Sequence, residues 1–224
     1  MRLCIDYRAL NVIIIKDRYP LPRITDQLDK LMGKEYFTTL DLAQGYHQVL
    51  MQEDAIEKTA FITPDGHCEY LRVPFGLANS PAVFQRVINK VLGDLRHEKV
   101  LAYMDDVLIP TSTEGQGLEL LDQVLTLVEN AGVKLNLSKC SFLMCRLEYL
   151  GHEISAEGIQ PGKRKTVAVA KFPIPSDVHS VRQFIGLASY FRKFVKDFAV
   201  VASTVKVRTR RGATTSYRKA GDSF

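Results

Sequence analysis

The sequence lacks the features that mark several protein classes. No window approaches the ~18 consecutive apolar residues that a membrane-spanning helix needs. The stretch Met1-Arg2-Leu3-Cys4-Ile5-Asp6 has an acid where a secretory signal would carry its apolar run, so neither secretion nor membrane insertion is expected. Cysteine is scarce: Cys4, Cys68, Cys140 and Cys145 are too few and too scattered for a disulfide scaffold, and a reducing compartment is the default. Cys140 and Cys145 lack partners for a zinc site and read as buried thiols. His47, His67, His97, His152 and His179 fall at no metal-ligand spacing and read as structural or exposed. There is no glycine-rich phosphate loop, no internal repeat and no long low-complexity tract.

What is present is a chain of 224 residues, 46% hydrophobic and 25% charged, enough for a real core in one or two domains. Its net charge of +5 hides an asymmetry. Residues 1–157 hold 16 Lys and Arg against 22 Asp and Glu, whereas residues 158–224 hold 14 against 3. An acidic part suited to cations is thus followed by a basic part suited to polyanions; a solvated surface with a basic tail accounts for the charges equally well.

Local patterns give an α+β chain. Residues 1–15 alternate weakly before the apolar run 12–15, and the prolines at 20 and 22 keep residues 18–22 extended. Ile24, Leu28, Leu31 and Met32 share one helical face that Gly33 ends. Residues 36–51 read as strand, a turn at Gln44-Gly45, and more strand, and 59–73 as a hairpin about Thr63-Pro64-Asp65-Gly66. Ser80 as N-cap and Pro81 at the first helical position open a helix with a wide apolar stripe, Val83 to Leu92, ended by Gly93. A second stripe runs from Leu118 to Val128, residues 147–154 are strand about a turn, and Pro161-Gly162 opens a short basic helix. Ser176 caps a longer helical region over 177–199, and 203–224 has no apolar period and reads as disordered.

The sharpest chemical feature is Tyr103-Met104-Asp105-Asp106 between the apolar runs 100–102 and 107–109. A tight hairpin with both acids at its tip fits this pattern. Ionised carboxylates beside a core are costly unless a cation or several donors compensate them; a solvated Asp-Asp turn is the plain alternative. Asp41, between Phe37-Thr38-Thr39-Leu40 and Leu42-Ala43, is a third acid at an apolar strand end. Three such carboxylates on neighbouring strands are a donor set for Mg²⁺, and two ions ~4 Å apart suit phosphoryl displacement.

The chain resembles the reverse transcriptase region of a gypsy-like LTR retrotransposon polyprotein. The resemblance rests on ordered blocks that span residues 1 to about 200: 4–11 (CIDYRALN), 17–24 (DRYPLPRI), 40–48 (LDLAQGYHQ), 58–61 (KTAF), 74–85 (PFGLANSPAVFQ), 103–106 (YMDD), 134–140 (KLNLSKC), 149–152 (YLGH) and 184–192 (FIGLASYFR). It implies a right-hand polymerase fold, with fingers at 1–15 and 49–79, palm at 16–48 and 80–156, the start of a thumb at 157–202, and a divergent tail at 203–224. By position, it assigns Asp41, Asp105 and Asp106 as catalytic carboxylates holding two Mg²⁺ (or Mn²⁺), with Leu42 beside them. Arg2, Tyr46, Phe75 and Gly76 are assigned to the nucleotide, the Tyr46 ring excluding a 2′-hydroxyl. Tyr103, Met104, Leu150, Gly151 and His152 are assigned to primer and template, and Lys139 to the proton donor for the leaving pyrophosphate. Without the resemblance, Tyr46 reads as a core aromatic and Arg2 as a solvated terminal residue.

The implied activity is RNA-directed DNA polymerisation on a primed RNA or DNA template with deoxynucleoside triphosphates, inside the cell, in the cytoplasm or a particle of the parent element. Further fingers sequence that the family has upstream, including a lysine, is absent, and residues 203–211 depart from the family's continuation, as a gene fragment would. A catalytically inactive relic or repurposed nucleic-acid-binding module is the alternative, and a two-metal nuclease is a third reading of the acids alone.

Overall fold

The apolar stripes seen in the sequence become the packing faces of two compact units, Met1–Leu147 and Glu148–Phe224. The computed structural model describes residues 5–204. Arg2 and residues 205–224 therefore lie outside the described residues, as does most of the 203–224 tail.

In the first unit, α1 (Arg8–Ile13) leads into an extended connector over 15–23, and α2 (Ile24–Asp29) buries Leu28. β1 (Tyr36–Asp41) follows, then α3 (Glu53–Ile56) and a small antiparallel hairpin of β2 (Phe61–Thr63) and β3 (Gly66–Cys68). Next come α4 (Ser80–Leu92), α5 (Leu95–Glu98), the hairpin β4 (Leu101–Tyr103) and β5 (Asp106–Thr111), α6 (Glu114–Asn130) and β6 (Ser141–Met144). The main sheet has the order β4-β5-β1-β6, with antiparallel pairing throughout.

Helices α4 and α6 lie on one face of this sheet. Their stripes meet the strands in a core of Phe84, Ile88 and Leu92 from α4, Leu120, Val124 and Val128 from α6, and Leu40, Val107 and Ile109 from the sheet. Leu108, between two of these on β5, points the other way and is also fully buried. With both faces covered, β5 loses the polar alternation of a half-exposed strand and reads as a continuous apolar run. Thr113 caps α6, its hydroxyl accepting from the Gln116 amide, and Gly132 ends that helix at φ +67°.

The boundary falls within β7 (Arg146–Tyr149), which forms a three-stranded sheet with β8 (His152–Ser155) and β9 (Gly158–Pro161); the second unit continues with α7 (Lys163–Ala170), α8 (Val178–Ser189) and α9 (Phe198–Thr204). Tyr149, Ile154, Val169, Val181, Ala188 and Phe191 are its buried apolar side chains.

Several local expectations are corrected. After Gln44 the chain enters a 3₁₀ turn, Gly45–Gln48, rather than a strand. Asn79, not Ser80, sits at the cap of α4 and makes no side-chain cap bond; the buried Ser80 hydroxyl donates to the Pro74 carbonyl instead. Asp177, not Ser176, caps α8, in a reciprocal capping box with Ser180. The helix expected over 177–199 breaks after Ser189, because Tyr190, Phe191 and Phe194 turn their rings onto His152, with centroids 5.1, 6.3 and 5.8 Å away. Strand β6 has little local signal in the sequence: as the last strand of its sheet it leaves Phe142 and Met144 exposed. Neither cysteine is the buried thiol expected: Cys145, in the link between β6 and β7, is exposed, and Cys140 is partly buried. The run 12–15 leaves Val12, Ile13 and Ile15 exposed: α1 is six residues long and buries none of its side chains.

Candidate active site

Register decides the site. β1 and β5 pair so that Asp41 lies directly opposite Asp106 at one end of the sheet. β4 and β5 pair so that Tyr103 faces Asp106, which makes Met104-Asp105 the two-residue tip of the hairpin. Met104 adopts φ +53°, a left-handed conformation that side chains other than glycine rarely take. The chain after Asp41 is stitched to this tip, the Leu42 amide donating to the Asp105 carbonyl at 3.0 Å. On its other side the Asn136 amide donates to the Asp41 carbonyl at 2.9 Å. Thus Asp41 and the Asp105-Asp106 pair, at least 64 residues apart along the chain, come to one sheet end.

The acids differ in surroundings. Asp41 is partly buried and takes an ion pair from Lys139, Nζ to Oδ2 3.3 Å. Asp105 turns one carboxylate oxygen, Oδ1, into the protein. Gly45 lies beneath it: a Cβ there would overlap Asp105 Oδ1 and come within 2.7 and 2.8 Å of two atoms of the Phe84 ring. Asp106 is exposed as a residue, yet its carboxyl is pushed above the ordinary carboxylate value, first by loss of water around it and second by the charge of Asp41; Lys139 draws it back.

The aromatic wall beside the acids is built by the 3₁₀ turn. The half-buried Tyr46 ring lies 4.9 Å from Phe75 and 5.8 Å, edge-on, from Phe84. Burial raises the Tyr46 phenol above its ordinary value, and the charges of Asp105 and Tyr103 add to this. His47 packs edge-on against Phe75 at 5.0 Å and stacks on Tyr70. Gly76 takes φ +94°, and its carbonyl accepts from Asn11 at 2.8 Å. Leu150, Gly151 and His152 belong to the second unit, where Leu150 and Gly151 form a left-handed turn (φ +48° and +77°) between β7 and β8.

Two contributors escaped the sequence reading. In the sequence Gly45 reads only as a turn residue, although its lack of a Cβ is what lets Asp105 fold inward. Gln85 is fully buried in the middle of α4 and bonds the hairpin that carries Asp105 and Asp106. Its signal was available: a glutamine beside Phe84 on the apolar stripe, with Asn89 four residues on.

A family model described as "Reverse transcriptase (RNA-dependent DNA polymerase)" matches residues 1–154. The chain belongs to the reverse transcriptase family. It is 45% identical over 213 residues to the retrovirus-related Pol polyprotein from transposon 297 of Drosophila melanogaster, covering 93% of this chain and 20% of that polyprotein. It is 40% identical over 204 residues to the Pol polyprotein from transposon gypsy of the same fly, covering 91% of this chain and 20% of the relative. It thus spans about one fifth of these relatives. Among solved structures, a foamy viral protease-reverse transcriptase in complex with double-stranded DNA superposes with a TM-score of 0.87 at 23% identity, over 98% of this chain and 39% of that one. A second foamy viral structure, also with double-stranded DNA, gives 0.84 at 24% identity, over 97% of this chain and 46% of its own. At that identity the likeness establishes the polymerase fold.

Reverse transcriptases use divalent metal ions. Among the described residues, no three His, Cys, Asp or Glu side chains are drawn together into a set that would hold an ion. The donors nonetheless suit one. They are hard carboxylate oxygens, Lys139 already stands on Asp41 as a cation, and Asp106 is raised first by burial and then by the charge of Asp41, which a bound cation would offset.

Proposed function

We propose that this chain is the catalytic part of an RNA-directed DNA polymerase, transferring deoxynucleotides to a primer 3′-hydroxyl under direction of an RNA or DNA template. The observation that carries the reading is the pairing of Asp41 opposite Asp106 with Asp105 at the adjoining tip, beside the Tyr46 ring. Asp41, Asp105 and Asp106, with the backbone at Leu42, would hold two Mg²⁺ or Mn²⁺ ions. The chemistry such ions supply is activation of an oxygen nucleophile and neutralisation of a leaving phosphate.

The protein's own groups do the rest. Tyr46, held by Phe75 and Phe84, forms a wall where a deoxyribose would stack and a 2′-hydroxyl would collide. Gly76 leaves room for backbone approach beside it, and Arg2 suits the triphosphate as a guanidinium. Lys139, at the acidic end of the sheet, is the proton donor to the leaving pyrophosphate. Tyr103 and Met104 would meet the primer end, and the Leu150-Gly151-His152 turn would grip the primer strand. In this reading residues 1–15 and 49–79 are fingers, 16–48 and 80–156 palm, and 157–202 the start of the thumb. The foamy viral relatives of this fold are described with double-stranded DNA and with RNA/DNA hybrid, which supports a primed duplex as the partner. The parent element's setting makes the intracellular space the place of action.

Primer extension tests this. The purified chain, an RNA template, deoxynucleotides and Mg²⁺ or Mn²⁺ should give extension that Asp105→Asn abolishes. Duplex binding without incorporation, from a folded and monodisperse sample, would instead establish a nucleic-acid-binding module, and cleavage without added nucleotides a nuclease.

A further inference from the structure

The acids sit on a turn whose backbone is strained, and the structure provides one side chain to hold it. Met104 is at φ +53° immediately before Asp105. Its amide donates to Gln85 Oε1 at 2.8 Å. The same glutamine donates from Nε2 to the Ala102 carbonyl at 3.2 Å, two residues earlier on the hairpin, and to Asn89 Oδ1 at 3.0 Å. Both polar atoms of this amide are thus bonded, Nε2 donating twice and Oε1 accepting once, in a side chain with no solvent exposure.

Its orientation is fixed from behind. Asn89 donates through Nδ2 to the Tyr19 hydroxyl at 2.8 Å, so its Oδ1 is left to accept from Gln85. Tyr19 is held under the Arg86 guanidinium, 4.8 Å from its centroid, and Arg86 is paired with Asp17 at 2.6 Å. Asp17 in turn is anchored by its own amide, which donates to Asn79 Oδ1 at 3.0 Å. The extended connector after α1 is therefore tied to one polar edge of α4, and that edge reaches the catalytic hairpin through Gln85.

We propose that Gln85 is a positioning residue: oriented by the Asn89–Tyr19 pair, it holds Met104 in the left-handed conformation and thereby sets where Asp105 and Asp106 stand. The inference rests on the polymerase reading for its effect on turnover, but not for its effect on the hairpin. Gln85 touches no substrate; it acts through the Met104 backbone. Gln85→Met keeps the volume and removes both bonds to the hairpin, leaving the Met104 amide and the Ala102 carbonyl without this partner. Gln85→Glu keeps the acceptor for Met104 while setting a carboxylate against Ala102 and Asn89.

The experiment has two readouts on the intact chain. In amide hydrogen exchange, Gln85→Met should lose protection at Met104, while Gln85→Glu should retain it. In primer extension, Gln85→Met should lower kcat about tenfold, with KM for the nucleotide moving less than about threefold, since the defect is in placing the acids. Glycine takes the left-handed conformation freely, so in the Met104→Gly background the Gln85→Met penalty should shrink to about twofold. A penalty of equal size in both backgrounds overturns the proposal, because Gln85 would then act through packing alone. Unchanged Met104 protection in Gln85→Met overturns it as well, whatever the activity. If the unsubstituted chain extends no primer while the protection change is seen, the polymerase reading fails and the positioning of the hairpin stands. Should Gln85→Met not fold, Tyr19→Phe tests the same chain from its far end: reduced Met104 protection supports the proposal, and unchanged protection overturns the Asn89–Tyr19 part of it.

Discussion

Replacing Lys139 by methionine should tighten metal binding while slowing the reaction. Lys139 Nζ stands 3.3 Å from Asp41 Oδ2, with the lysine side chain 64% exposed and the aspartate 22%. As an exposed pair it adds little to stability, about 0–1 kcal/mol. It does, however, occupy the electrostatic position that a divalent ion on Asp41 would take. Two unit charges 4 Å apart interact by about 1 kcal/mol in water, and a dication facing the ammonium doubles that. Because the lysine is free to swing outward, about half of this is recovered, leaving about 1 kcal/mol, or roughly fivefold in dissociation constant. Lys139→Met should therefore bind Mn²⁺ about fivefold more tightly, measured by the loss of free-ion paramagnetic resonance signal at neutral pH and low salt. The advantage should shrink in high salt, which screens an exposed charge. Turnover should fall in the same variant, since the proposed proton donor is gone. Lys139 also draws the Asp106 carboxyl downward, so its removal should move the pH below which the metal is lost to a higher value. Equal or weaker Mn²⁺ binding by Lys139→Met would refute the reasoning, because Lys139 would then not be competing for Asp41.

Two further outcomes follow from buried geometry. Tyr7 is buried, donates its hydroxyl to the Thr59 carbonyl at 2.9 Å, and has its phenol pushed up to about 12 by that burial. A group whose folded value lies above its unfolded one contributes stability that is complete below the unfolded value and disappears as pH rises through the folded one; here that window runs from about 10 to about 12. Urea melts should lose roughly 2–3 kcal/mol across that range, and Tyr7→Phe should remove this component. Gly45→Val should cost about 1–3 kcal/mol by overpacking against Phe84, and should reduce primer extension about a hundredfold by driving Asp105 out of place. Thermal melts and extension assays on the same preparation check both, and wild-type behaviour in either would show that the Asp105 turn yields where the structure holds it.

The acids themselves were legible from the sequence, and so were the hairpin that carries two of them and the helices that back them. Val100 to Ile109 fits two short strands about an acidic turn, because a tip lets the charges reach water while the apolar runs on each side are buried, and β4 and β5 pair in that way. The stripes of α4 and α6 follow from a 3.6-residue period that any chain order would preserve. The 3₁₀ turn after Gln44, the break after Ser189 and strand β6 were decided by tertiary partners instead. Each is held by a distant residue: Phe75 and Phe84 about Tyr46, His152 beneath Tyr190, and β1 alongside β6.

Sequence spacing determined that Asp41, Asp105 and Asp106 sit at strand ends, but it says nothing about which ends meet. Only the antiparallel register of β1 on β5 decided that Asp41 faces Asp106; a slip of one residue would send the acid to the other side of the sheet. Likewise, the sequence shows Gln85 only as one of several polar residues in an amphipathic helix. Its bonds to a left-handed methionine and to Ala102 exist because α4 packs across β4 at that height, a relation that no local pattern encodes.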